Sequence, residues 1–218
     1  MRKIDREHEH PIDNLNIEFA DAISEPMNSV GATANDLTAI SLVLGLISLY
    51  MLSQRRIMWF ALFFYTSYLF DCCDGFYARK YGHVSKFGDA FDHVKDLTIT
   101  AGIFAILYST FVCTSSVWVV VGIVMGLNLL LSSTFLGCQE QLYALRDDGV
   151  KRANATLSQC MKLCPLRSDT HDHASIIQWR LERLRYFGCA TLTLCTILCV
   201  WYIDSYSQAS GECTISPN

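Results

Sequence analysis

The chain reads as an all-α bundle of membrane-spanning helices with a surface helix at its N-terminus. Three observations lead there. Of its 218 residues, 51% are hydrophobic and only 17% charged, the balance of a membrane protein rather than of a soluble domain. The apolar runs are too long and too many for one soluble core, and little chain is left outside them. Five runs qualify as spans: residues 37–53, 57–70 continuing to Cys73, 97–112, 117–135 and 187–203. Some are shorter than the roughly 20 residues a span needs. The count becomes six if the long connection after the fourth run holds another.

Taken in order, residues 1–36 form an N-terminal segment. Residues 1–10 are mostly charged and polar, lack the apolar core of a signal peptide, and suit a poorly ordered tail. The first span must then act as its own insertion signal. Ile12, Leu15, Ile17, Phe19, Ala20 and Ile23, ahead of Pro26, suit a short helix lying on the membrane surface. Thr33-Ala34-Asn35-Asp36-Leu37-Thr38 opens the first span with ordinary capping chemistry. The second and third runs are short because each is extended by a charged helix. The connection 136–186 is basic and broken by Pro165, and residues 176–186 read as an amphipathic helix leading into the last span. Residues 37–205 form one membrane domain, with a tail at 206–218.

With the N-terminus inside, all of the 17 Lys and Arg except Arg55 and Arg56 fall on one side. The positive-inside rule then makes that side cytoplasmic and sends the C-terminus across the membrane. No nucleic-acid partner is expected. Ten cysteines are present, mostly in spans or on the cytoplasmic side, where thiols stay reduced. Only Cys113 and Cys213 are placed for a bridge. Cys160 and Cys164 with His171 and His173 resemble a zinc arrangement, but the spacing fits no familiar module, and an ordinary polar loop is the favoured reading. The sequon at Asn154 would be silent in a cytoplasmic loop.

The chemistry is concentrated between residues 71 and 96. Asp71 and Asp74 are three apart, and Asp92 and Asp96 four apart, so on helices each pair shares a face. A carboxylate at mid-bilayer costs about 2.5–3.5 kcal/mol, and these follow an apolar run. Something must compensate them. Divalent cations suit oxygen ligands, and two Mg²⁺ would balance four carboxylates. An ion-pair network with Arg79, Lys86 and Lys95 is the rival account. Buried pairs rarely repay their desolvation, and such a network has no need of Gly75 and Gly88.

The run Asp71-x2-Asp74-Gly75-x2-Ala78-Arg79-x8-Gly88-x3-Asp92-x3-Asp96 resembles the signature of the CDP-alcohol phosphotransferase family at every fixed position. The resemblance implies an acceptor hydroxyl attacking a phosphorus of a CDP-linked substrate, with release of CMP. It implies Mg²⁺ or Mn²⁺, as two ions, on Asp71, Asp74, Asp92 and Asp96, with Asp92 and Asp96 catalytic and Asp96 the general base. Gly75, Ala78, Arg79 and Gly88 would receive the CDP group. The family commonly enters its first span with Pro-Asn-x-x-Thr; Asn35 and Thr38 match, Ala34 replaces the proline, and both would lie near the nucleotide. A homodimer in a lipid bilayer is implied too. Asp89 shares the face of Asp92, and a solvent-facing acid is favoured over an extra ligand.

Size favours transfer of a phosphatidyl group from CDP-diacylglycerol to inositol, serine or glycerol 3-phosphate. Phe91-Asp92-His93 points instead to the sister reaction, from CDP-choline or CDP-ethanolamine to diacylglycerol. A non-catalytic metal-binding relative would have no need of Asp96. An intramembrane prenyltransferase would need two separated aspartate clusters and more spans. The missing cleavable signal favours the endoplasmic reticulum over the plasma membrane, with the active site cytoplasmic.

Overall fold

The structure, a computed structural model, describes residues 2–112, 115–146, 160–164, 173–210 and 214–215. The regular structure among them is helical, apart from a two-residue antiparallel ladder that pairs Phe111 with Ile215 and Val112 with Thr214. The helices are α1 (Pro11–Ser29), α2 (Ala34–Ser53), α3 (Ile57–Tyr81), α4 (Lys86–Thr110), α5 (Ser115–Arg146), α6 (His173–Leu184) and α7 (Cys189–Ser210).

Local chemistry sets the ends that matter. Asp36 accepts from the backbone N–H and the hydroxyl of Thr33 at 2.7 and 2.8 Å and so caps α2. That leaves Asn35 and Thr38 free of capping duty. α3 ends at Gly82, whose φ of 72° is left-handed and suits glycine. Three residues later Ser85 caps α4 by accepting the Gly88 N–H at 3.0 Å. The two motif helices are therefore an antiparallel hairpin with a short, well-defined turn.

α2 lies at the centre, packed on α3 and α4 along a seam of small residues. Ser41 and Ser67 each donate to the other's backbone carbonyl at 2.8 Å. A Cβ on Gly45 would stand 2.7 Å from Ile99 Cδ1, and one on Gly102 would overlap Leu49. Close approach of backbones over small residues is how helices associate where lipid supplies no hydrophobic drive. Leu52, Phe60, Ile99, Ile103, Phe111, Val200 and Ile203 build the apolar core at the far end from the motif. There Arg55 donates to Asp204 at 2.6 and 3.0 Å.

Among the described residues, three stretches are long and apolar enough to cross a membrane: Ala34–Ser53, Ser116–Leu145 and His173–Ala209. The expected second and third spans are the helices α3 and α4. Their motif charges lie within the helix itself, which lowers mean hydropathy, so the count of five or six is not reached on composition. The exposed faces agree with a lipid setting: Val119, Val120, Ile123, Val124, Leu127 and Leu130 of α5 all face outward. The chain is a membrane protein.

Several expectations change. The connection expected at 136–186 divides, its first part being the continuation of α5 to Arg146. Its last part is α6, whose 12 residues extend about 18 Å, too short to span alone. Ile177 and Leu181 of α6 are buried against Phe135, Cys138 and Leu142 of α5. Residues 2–10 are not a loose tail: Ile4 is 2% exposed within that same cluster, and Arg2 and Arg6 reach Asn14 and Glu18 of α1. α1 turns Asp13, Asn16 and Ser24 toward the protein and leaves Leu15 and Phe19 outside.

The cysteine expectation is corrected as well. Cys138 and Cys164 form a disulfide, with Cα atoms 5.2 Å apart. Because α5 runs past Phe135, Cys138 projects where the turn Met161–Leu163 folds back on the helix. Gln141 Nε2 donates to the Met161 carbonyl there at 2.8 Å. Cys164 is thereby removed from any zinc set with Cys160 and His173. His171, the sequon at Asn154, Cys113 and Cys213 lie outside the described residues.

Candidate active site

The hairpin of α3 and α4, set against the start of α2, brings the motif carboxylates together. Carboxylate oxygens of Asp71, Asp74 and Asp92 all lie within 4.8 Å of one another. Asp71 and Asp74 share a face of α3 because they are three residues apart, and α4 delivers Asp92 across the hairpin. Asp74 is buried and accepts the Thr38 hydroxyl at 2.6 Å. Thr38 thus orients the deepest carboxylate from a third helix.

Lys95 is the cation among these acids. Its ammonium, 3% exposed, donates to Asp71 and, at 2.8 Å, to Asp92, and lies 3.2 Å from Asp96. The rival ion-pair account therefore describes part of the arrangement: Lys95 neutralises one side of the cluster. It leaves Asp74 to Thr38, however, and one ammonium faces three carboxylates. Charge is left over for a further cation. Three oxygen donors converging from two helices form a set that hard divalent ions accept. Mg²⁺ or Mn²⁺ fits the residues present.

Asp96 stands apart. Its side chain is 64% exposed, and it is not among the three converging carboxylates. Asp89 lines the cavity described next and lies 3.7 Å from His93 Nδ1; it does not join the converging set either.

Beside the carboxylates is a cavity of about 260 Å³. Its lining includes Asn35, Thr38, Gly75, Ala78, Arg79 and Gly88, with Asp74 and Asp92. The two motif glycines serve different contacts. A Cβ on Gly88 would stand 3.0 Å from Asn35 Oδ1, so that glycine lets α4 meet the start of α2. A Cβ on Gly75 would stand 3.3 Å from an Arg79 nitrogen, so the guanidinium folds back over its own helix into the space Gly75 leaves.

The remaining wall carries residues that no motif marked. Lys3 from the N-terminal segment and Glu140 and Tyr143 from the last turns of α5 line the same cavity. Lys3 and Glu140 are ion-paired. Nothing in the sequence relates positions 3 and 140; the burial of Ile4 on α5 and α6 and the hydrogen bond from Gln139 to Glu9 bring the two elements together.

Residues 32–179 match the family model for CDP-alcohol phosphatidyltransferase, well over half of the chain. The chain belongs to that family, whose members are transferases of substituted phosphate groups. No curated protein and no solved structure matches it.

Proposed function

We propose that this protein is a phospholipid-synthesis enzyme that moves a phosphatidyl group from CDP-diacylglycerol to a small alcohol and releases CMP. The observation that carries the reading is the convergence of Asp71, Asp74 and Asp92 beside one cavity lined by Asn35, Thr38, Gly75, Ala78, Arg79 and Gly88. A divalent ion held by those three carboxylates would neutralise diphosphate charge and favour the leaving CMP.

The chain's own groups do the rest. Arg79 offers a planar fork to phosphate oxygens. Gly75, Ala78 and Gly88 keep the cavity clear for the nucleotide, and Thr38 holds the Asp74 carboxylate in position. Asp96 takes the proton of the attacking hydroxyl, while Asp92 would help hold the ion that neutralises the reacting phosphate. Lys95 keeps Asp71, Asp92 and Asp96 in one register between charge states of the site. A homodimer in the endoplasmic reticulum, with the site facing the cytoplasm, completes the reading; the family supports the dimer, and the Lys and Arg distribution supports the orientation.

His93 gives the sister reaction a foothold, since it lines the cavity next to Asp92. One assay separates the two. Purified protein in nanodiscs with Mg²⁺ is given CDP-diacylglycerol with inositol, serine or glycerol 3-phosphate, or CDP-choline or CDP-ethanolamine with diacylglycerol. Acceptor-dependent CMP release from the first group, lost in Asp96→Asn, is expected. Release only from the second group assigns the sister reaction. Silence from folded, metal-binding protein across the panel refutes both.

A further inference from the structure

The motif accounts for three sides of the cavity. Helices α2, α3 and α4 supply the carboxylates and every residue assigned to the CDP group. The attacking alcohol must approach the phosphorus from the side away from the leaving CMP, so it needs a wall of its own. Among the described residues, the other elements lining the cavity, besides the α3–α4 turn, are the N-terminal segment and α5. They bring Lys3, Glu140 and Tyr143.

Lys3 is not needed to hold its segment down. Arg2 donates to Asn14 Oδ1 at 2.6 Å, Ile4 is buried, and Arg6 pairs with Glu18 at 2.8 Å. Glu140 is 6% exposed, and a buried ion pair is a poor source of stability. A pair that costs desolvation and stands on a cavity wall, in a segment already held by Arg2, Ile4 and Arg6, invites a role in recognition. Lys3 lies outside the residues that match the family model, whereas Glu140 and Tyr143 lie within them.

Resting on the reading above, we propose that Lys3 and Glu140, with Tyr143 beside them, form the acceptor-recognition wall, and that it selects a small alcohol with no net charge over a phosphorylated one. The pair presents ammonium donors next to carboxylate acceptors. A polyol satisfies both through neighbouring hydroxyls, and a zwitterionic amino alcohol satisfies both through its carboxylate and ammonium. A phosphomonoester finds one cation already neutralised and a buried carboxylate to repel it.

The test uses the full chain in nanodiscs with two readouts, steady-state CMP release and thermal stabilisation by the acceptor alone. Inositol, serine and glycerol 3-phosphate are compared in the wild type, Lys3→Met, Lys3→Arg and Glu140→Gln. Inositol or serine should stabilise the wild type and glycerol 3-phosphate should not. Lys3→Met should raise the acceptor KM roughly tenfold and leave the CDP-diacylglycerol KM unchanged, and Lys3→Arg should restore most of it. Glu140→Gln should improve the response to glycerol 3-phosphate. Preference of the wild type for glycerol 3-phosphate would overturn the proposal. So would a Lys3→Met enzyme that turns over with an unaltered acceptor KM, which marks the pair as structural. No CMP release in any variant, with acceptor stabilisation absent as well, would sink the proposed function itself and this inference with it.

Discussion

Glu9 shows how one residue of the N-terminal segment couples that segment to pH. Its carboxyl is 5% exposed and is pushed up to about 7, chiefly by burial and secondarily by Asp13. It accepts from Gln139 of α5 at 3.0 Å. A carboxyl whose folded pKa exceeds its unfolded value binds protons more readily when folded. Its contribution is therefore most favourable below about 4.5 and is lost as pH rises to about 7. At pH 8 the loss is on the order of 3 kcal/mol. Glu9→Gln keeps the shape and removes the charge. Its unfolding midpoint should exceed that of the wild type at pH 8 and approach it at pH 4.5; parallel curves across that range would refute the account. At this same scale the shared face of Asp71 and Asp74 was legible, because a spacing of three residues fixes a helical face whatever the tertiary fold, whereas Asp96, four residues from Asp92, stands outside the converging set. Lys95 was legible only as one of three cations, with Arg79 and Lys86, that could pair with the acids. That its ammonium meets Asp71 follows from how α4 sets it in the hairpin. Asn35 and Thr38 matched a pattern, but their freedom from capping follows only from Asp36 taking that role.

Between elements, the small-residue seam decides whether the cavity exists. Asn35 and Thr38 ride on α2, Asp71 and Asp74 on α3, and Asp92 on α4, and Gly45 lies where the three helices meet. Gly45→Leu should drive α2 away from Ile99 and Ser67 and cost 1–3 kcal/mol or more, by the usual scale of overpacking, roughly. The expected result is a lower unfolding midpoint in detergent with weakened metal binding. Gly122→Leu on α5 is the control, since a Cβ there meets nothing within 4 Å. Equal behaviour of the two variants would deny the seam its role. Helix positions were readable from the apolar runs, and the existence of a helix before the first span from its scattered apolar residues. The reach of α5 was not, because polar residues Gln139, Glu140 and Gln141 end the apolar run while the helix goes on to Arg146. That hidden extension carries both Glu140 and Cys138.

Over the whole molecule, the disulfide and the basic residues speak to different compartments. Cys138 is one residue from Gln139 and two from Glu140 on the cavity wall, so Cys138–Cys164 lies at the catalytic end. Disulfides persist in oxidising compartments, whereas the Lys and Arg distribution argues for a cytoplasmic placement of that end. Sealed endoplasmic-reticulum microsomes, cytoplasmic face outward, treated with a membrane-impermeant maleimide after mild reduction decide between them. Labelling of Cys138 and Cys164 without permeabilisation is expected for the cytoplasmic orientation, and labelling only after it would reverse the topology. Sequence could not raise this question, since the bond depends on the turn at 161–163 meeting α5.

The burial of Ile4 among Phe135, Cys138, Leu142, Ile177 and Leu181 also has a consequence in time. A ribosome makes the partners of Ile4 some 130 to 180 residues after it, about seven to thirty-five seconds on at typical synthesis rates. The helices bearing the aspartates are complete long before α6 emerges, so the nascent protein holds its acidic cluster with one wall missing. A segment made early is thus among the last to find its place, and the cavity is finished only when α5 and α6 close over it.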